Sequence, residues 1–132
     1  MSKRDRAEPP WDLTAVDLRG RLEGLSESEL HALPFGVIRL DGDGKVTFYS
    51  RTEGEQSGFG ARPALGRLFF TEIAPCMGSP EFLARLEHAR RAGALDITFE
   101  QVGDFDDAER ELLVRVMSAA DGGLWLCLQR QL

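Results

Sequence analysis

Leu33-Pro34-Phe35-Gly36-Val37-Ile38-Arg39-Leu40-Asp41-Gly42-Asp43-Gly44-Lys45-Val46-Thr47-Phe48-Tyr49 sets two apolar runs on either side of a glycine-rich acidic turn. Leu33–Leu40 reads as a strand, Asp41–Gly44 as a tight turn and Lys45–Tyr49 as the return strand, because Asp-Gly pairs supply the backbone freedom a hairpin needs. The turn has a superficial likeness to a calcium loop. Val46 stands where that loop's glycine would be and Thr52 where its closing glutamate would be, so calcium is rejected.

Working outward from the hairpin, Ser26-Glu27-Ser28-Glu29 has the Ser-x-x-Glu form of a capping box and predicts a helix over Glu27–Ala32. Before it, Leu13, Val16, Leu18, Leu22 and Leu25 recur at loosely helical spacing, interrupted by Gly20 and Gly24, and predict one or two short helices. Residues 1 to about 12 are charged and proline-containing and read as a mobile arm with one docking aromatic, Trp11. Downstream, Ser50–Gly66 suits short helical turns over a sheet, and Gly66–Ile73 a short helical piece. A helix should start at Ser79, with Pro80 in its first position, and stop at Gly93. Asp96–Val102, Leu112–Ala119 and Leu124–Gln129 read as strands, with Gly103–Glu109 an exposed acidic loop. The order predicts an α+β fold: a five-stranded antiparallel sheet with short helices on one face and an N-terminal helical cap, residues 1–32 forming arm and cap and 33–132 the core.

The chain of 132 residues is one domain by length, and its 16 Lys and Arg against 22 Asp and Glu give a net charge of -6. An acidic surface without a basic cluster argues against nucleic acid or an anionic membrane as partner. No apolar run approaches the ~20 residues of a spanning helix, and no apolar signal region follows Met1, so a soluble, cytoplasmic protein is expected. Cys76 and Cys127 belong to no Cys-x-x-Cys or Cys/His cluster, which speaks against a metal site. They are not expected to pair in a reducing compartment. His31 and His88 are expected on the surface.

Ile73-Ala74-Pro75-Cys76-Met77-Gly78-Ser79-Pro80 presents one thiol on a stiff backbone, since Pro75 fixes its own φ and pushes Ala74 towards an extended conformation. A cysteine just upstream of a helix start can be favoured as thiolate. The commoner fate of an isolated cysteine is that of a small buried hydrophobe. Tyr49, Glu53 and Ser57 lie four residues apart and would share one side if Tyr49–Ser57 began a helical turn, facing Ile38, Phe48, Phe69 and Phe70. A tyrosine hydroxyl and a desolvated, protonated Glu53 could there hold one oxygen of a ligand. Equally, Glu53 could point to water beside Glu55, as most glutamates do.

The hairpin, Tyr49 with Glu53-Gly54, Gly66, Phe69-Phe70, Ala74-Pro75-Cys76 and Ser79-Pro80-Glu81-Phe82 together closely resemble the photoactive yellow protein family, within the PAS class of sensor domains. The match runs without gaps from about Leu18 to Phe82 and more loosely to the C-terminus. The resemblance implies p-coumaric acid (4-hydroxycinnamic acid) as cofactor, attached to Cys76 as a thioester, with its phenolate held by Tyr49 and protonated Glu53. It also implies Ser57 in place of a threonine bonded to the tyrosine, and a pocket lined by Ile38, Phe69, Phe59 and Ala74. The implied mechanism is trans-to-cis isomerisation in blue light, proton transfer from Glu53 and loosening of the N-terminal cap.

Departures from the family pattern fall at the pocket. Phe59 stands where the family has an arginine gate, Met77 where a threonine is usual, and Met117 lies too far along to replace the family's pocket methionine. Slower thermal reversal after light is expected without that methionine. The expected function is a blue-light photoreceptor and not an enzyme, addressing an unknown downstream signalling protein as a monomer or weak dimer. The other classes are a chromophore-free PAS interaction module and a redox sensor acting through Cys76.

Overall fold

A strand with apolar residues at consecutive positions is buried on both faces and belongs inside a sheet. Leu124-Trp125-Leu126-Cys127-Leu128 is such a run, and the strand it forms, β5 (Leu124–Arg130), is the middle of a five-stranded antiparallel sheet. The computed structural model describes residues 11–57, 64–73, 78–92, 95–102 and 109–130. In it, β1 (Gly36–Leu40), β2 (Val46–Tyr49), β3 (Asp96–Val102) and β4 (Glu111–Ser118) take the order β2-β1-β5-β4-β3. Helices α1 (Leu18–Glu23) and α2 (Glu27–His31) precede the sheet, and α3 (Arg51–Ser57), one π-helical turn (Phe69–Ile73) and α4 (Pro80–Arg91) lie between β2 and β3. The α+β architecture read from the sequence is therefore the one observed.

The period of two along each strand divides the interior into two cores. Ile38 and Leu40 of β1, Val114 and Val116 of β4, and Leu124, Leu126 and Leu128 of β5 pack under α4 and the π turn with Phe69 and Leu86. Val37, Met117, Trp125 and Cys127 face the other way and are covered by Leu13, Leu18, Leu22 and Leu30 from the N-terminal segment. Met117 is thus on the cap side, away from Ile38 and Phe69.

Local chemistry sets most boundaries. The Ser26 hydroxyl accepts from the Glu29 N–H while the Glu29 carboxylate accepts from the Ser26 N–H, so the capping box closes as predicted. Ser79 caps α4 through the Phe82 N–H, with Pro80 next. Strand β1 starts at Gly36 and not at Leu33, because the Leu33 N–H is spent on the Leu30 carbonyl and Pro34 has no N–H for a ladder. Asp41 closes the hairpin by accepting from Asp43 and Lys45 N–H groups, and Gly44 takes the φ of 87° that the turn requires. Tyr49 is not helical: it ends β2, paired with Ile38, and the helix begins at Arg51. α4 ends at Arg91, before Gly93; that glycine and the acidic loop 103–108 lie outside the described residues.

The cap is bonded as well as packed. The Arg115 guanidinium, buried on the cap side, donates to the carbonyls of Leu13 and Ala15 and forms a two-pronged pair with Asp96. Glu23 accepts from the Trp125 indole N–H at 2.8 Å and from the Ala120 N–H at 2.9 Å. Arg39 lies 4.7 Å from the Trp125 ring centre and pairs with Asp121 at 3.0 Å. Trp11 docks under Arg21, whose guanidinium sits 3.8 Å above its ring.

Candidate functional site

Ser50 is the point from which the site is built. Its N–H donates to the Val37 carbonyl, while its hydroxyl accepts from Val37 N–H at 3.0 Å and from Glu53 N–H at 3.1 Å. One buried serine therefore stitches β1 to the end of β2 and caps α3. Helix α3 is further fixed at its start: the Arg51 N–H donates to His31 Nδ1 at 2.8 Å, and the Thr52 hydroxyl contacts the carbonyls of His31 and Leu33. His31 is half-buried, with its ring 4.9 Å from that of Phe48, and so is not the plain surface histidine that its charged neighbours suggest. The other end is held where Arg110 donates to the Gln56 carbonyl at 2.8 Å.

So fixed, α3 presents Glu53 and Ser57, one turn apart, to the sheet, and both are buried, Glu53 at 3% exposure. Tyr49 reaches the same helix-side core from β2, half-buried, together with buried Ile38 and Phe69. The sequence-predicted residues Tyr49, Glu53, Ser57, Ile38 and Phe69 thus come to one side of the sheet. Cys76, Ala74 and Phe59 lie outside the described residues.

What sequence reading missed is Arg130. Its guanidinium donates through both terminal nitrogens to both Glu53 oxygens, at 2.5 and 2.8 Å, with side-chain exposures of 1% and 4%. A guanidinium is always charged, and a two-pronged bond to both oxygens is the geometry of an ionised carboxylate. Glu53 is therefore ion-paired in this conformation, with a partner that the sequence-predicted role of proton donor does not include. The signal was parity: Leu126, Leu128 and Arg130 are alternate residues of one strand and share a face.

Gly36 makes this seat possible. A Cβ built there would lie 1.9 Å from Glu53 Oε1 and 2.9 Å from its carboxyl carbon, so the carboxylate occupies the space of a missing side chain. Gly36 pairs with Leu128 across the β1–β5 ladder, which puts Arg130 on the same side of the sheet, two residues further along β5. On the opposite face, burial pushes the Cys127 thiol up to about 12, which leaves it inert at neutral pH.

Residues 25–131 match the family model described as the PAS fold. Photoactive yellow protein from Halochromatium salexigens is 32% identical over 115 residues, covering 86% of this chain and 92% of that protein. The chain belongs to the photoactive yellow protein family. A second relative in this family, photoactive yellow protein from Rhodothalassium salexigens, is 30% identical over the same shares of each chain. The crystal structure of the photoactive yellow protein domain from the sensor histidine kinase Ppr of Rhodospirillum centenum superposes with a TM-score of 0.74 at 37% identity, covering 84% of this chain and 98% of that domain. Among the described residues no helix is long and apolar enough to cross a membrane, and no group of His, Cys, Asp and Glu could hold a metal ion.

Proposed function

We propose that this photoactive yellow protein-like PAS domain is a blue-light receptor carrying p-coumaric acid as a thioester on Cys76. The observation that carries the reading is the burial of Glu53 at 3% exposure on the same side of the sheet as Tyr49, beside the apolar core of Ile38 and Phe69. A carboxyl group and a phenol hydroxyl in such a place suit a ligand whose polar end is one oxygen atom, and the room over Gly36 lets the carboxyl lie close to the sheet. The residues fit the group provided that Glu53 exchanges its present partner.

Bound there, p-coumaric acid would supply absorption of blue light and a double bond that turns from trans to cis. Cys76 Sγ would hold the acyl group, Tyr49 and Glu53 would donate to the phenol oxygen, and the Ser57 hydroxyl would orient Tyr49. Ile38 and Phe69, with Phe59 and Ala74, would exclude water, which strengthens every such bond. Glu53 would keep its proton in the dark and release it after light, leaving a carboxylate that disturbs α3. Because Arg51 and Thr52 are bonded to His31 and Leu33, the disturbance reaches the segment that joins cap to core. Residues 1–32 would be the output, read by a signalling partner such as a kinase, by analogy with the domain organisation of Ppr.

Expression with an activated p-coumaroyl thioester tests this. A mass gain, with loss of the donor thiol, and a visible band absent from Cys76→Ala are expected; an unmodified protein would sink the reading. A second reading, a PAS interaction module without chromophore, is favoured by one observation: the Glu53 carboxylate is bonded through both oxygens to Arg130 of the same chain.

A further inference from the structure

We propose that Arg130 is a built-in counter-ion of Glu53 that competes with the ligand's phenol oxygen for the carboxyl group, so that the pocket keeps its shared proton on the ligand up to a higher pH. The inference rests on the receptor reading for its ligand, and on geometry alone for its ion pair.

Both partners are placed by backbone and not by chance of rotamer. Glu53 sits in the first turn of a helix tied down by Ser50, Thr52 and His31, with its carboxylate in the space left by Gly36. Arg130 extends the inward-facing row Leu124, Leu126, Leu128 of the central strand. Moving a proton onto Glu53 would cancel the charge that both prongs of the Arg130 guanidinium bind, at 1% side-chain exposure, and so weaken a buried pair. While Arg130 keeps this pairing, a proton shared between Glu53 and a bound phenol is pulled towards the phenol. Glu53 acts as the dark-state donor of the receptor reading only in molecules where it has let Arg130 go. The site thus has a guanidinium of its own, brought to Glu53 by β5.

Among the described residues, the other charged or titratable groups around α3 sit at its two ends and on neighbouring strands. Tyr49 faces the same core from β2; Cys127 is behind the sheet; His31 and Arg51 meet at the helix start and Arg110 at its end. Among the described residues Arg130 is the cation bonded to the Glu53 carboxylate.

The test has two independent arms. In chromophore-free protein, infrared difference spectra against Glu53→Gln should show Glu53 as carboxylate near neutral pH in the parent and in Arg130→Lys, and as protonated carboxyl in Arg130→Gln. In loaded protein, the pH midpoint at which the phenolate band replaces the phenol band should fall by about 1–2 units in Arg130→Gln, the size of shift one close charge produces. A protonated Glu53 in the parent, or a midpoint that stays or rises in Arg130→Gln, overturns the proposal. Should Arg130→Gln not fold, Arg130→Lys decides: carboxylate retained supports the counter-ion, carboxyl refutes it. If no chromophore attaches, the receptor reading falls while the chromophore-free arm still judges the pair.

Discussion

Replacing Gly36 by alanine probes the seat of Glu53 directly. The added methyl would begin 1.9 Å from Oε1, 2.9 Å from Cδ and 3.1 Å from Cβ of Glu53. Carbon–oxygen contact is relieved only beyond roughly 3.2 Å, so the carboxylate must move by more than about 1 Å. That displacement cannot preserve both bonds to Arg130, now at 2.5 and 2.8 Å. Overpacking alone costs about 1–3 kcal/mol, and complete separation of a buried pair about 3–5 kcal/mol. Because the glutamate can rebuild part of the pairing, about 2–4 kcal/mol is expected for Gly36→Ala. In a Glu53→Ala background the carboxylate is gone and only the contact with the Cβ at 3.1 Å remains, so the same change should cost under about 1 kcal/mol. Urea unfolding of the four chromophore-free proteins gives the coupling, expected at about 2–3 kcal/mol. A coupling within about 0.5 kcal/mol of zero would show that the carboxylate does not lie over Gly36, and the reasoning about its seat would fail.

Arg115→Leu should free the cap before it unfolds the core, because it orphans the Leu13 and Ala15 carbonyls; a loss of about 2–3 kcal/mol is expected, since Asp96 is half-exposed and partly rehydrates. Faster amide exchange confined to residues 11–31 checks it, and uniform acceleration would count against a local clamp. Ser50→Ala removes the acceptor shared by the Val37 and Glu53 N–H groups and should cost about 1–3 kcal/mol in a thermal melt, more than Ser79→Ala at the exposed cap of α4. Cys127 should resist alkylation in the folded protein and react on unfolding, as a thiol at about 12 is roughly one part in ten thousand thiolate at pH 8. Its folded value lies above the ordinary 9.0, so the stability it contributes is complete below that pH and is lost as pH climbs towards about 12. Cys127→Ser or Cys127→Val should flatten that alkaline limb, and an unchanged limb would reject the assignment.

The parts of the fold that were legible in the sequence are those decided within a few residues. The Ser26 capping box, the Asp41–Gly44 turn and the Ser79-Pro80 helix start each satisfy their own backbone groups locally, so their residues suffice to predict them. Ser50-Arg51-Thr52-Glu53 repeats the Ser-x-x-Glu pattern of Ser26–Glu29, yet its glutamate does not turn back to its own cap. It is buried, and a partner 77 residues away takes it. No local pattern encodes that choice. Tyr49 illustrates the same limit, since spacing of four suggested one helix face, whereas pairing with Ile38 keeps it in a strand. The convergence of Tyr49, Glu53 and Ser57 survived the error because the end of β2 and the face of α3 abut the same core.

The central strand β5 ties the two cores together as one stiff rod. Arg130 grips the helix side of the sheet, while Trp125, five residues back, is clasped by Glu23 on the cap side. Pairing with β1 and β4 along its length keeps the strand extended, so Arg130 and Trp125 hold a fixed separation across the sheet. In a Trp11→Phe background, a change in Trp125 emission on perturbing Glu53 is the expected sign that the two faces of the sheet are coupled, read with no attached probe.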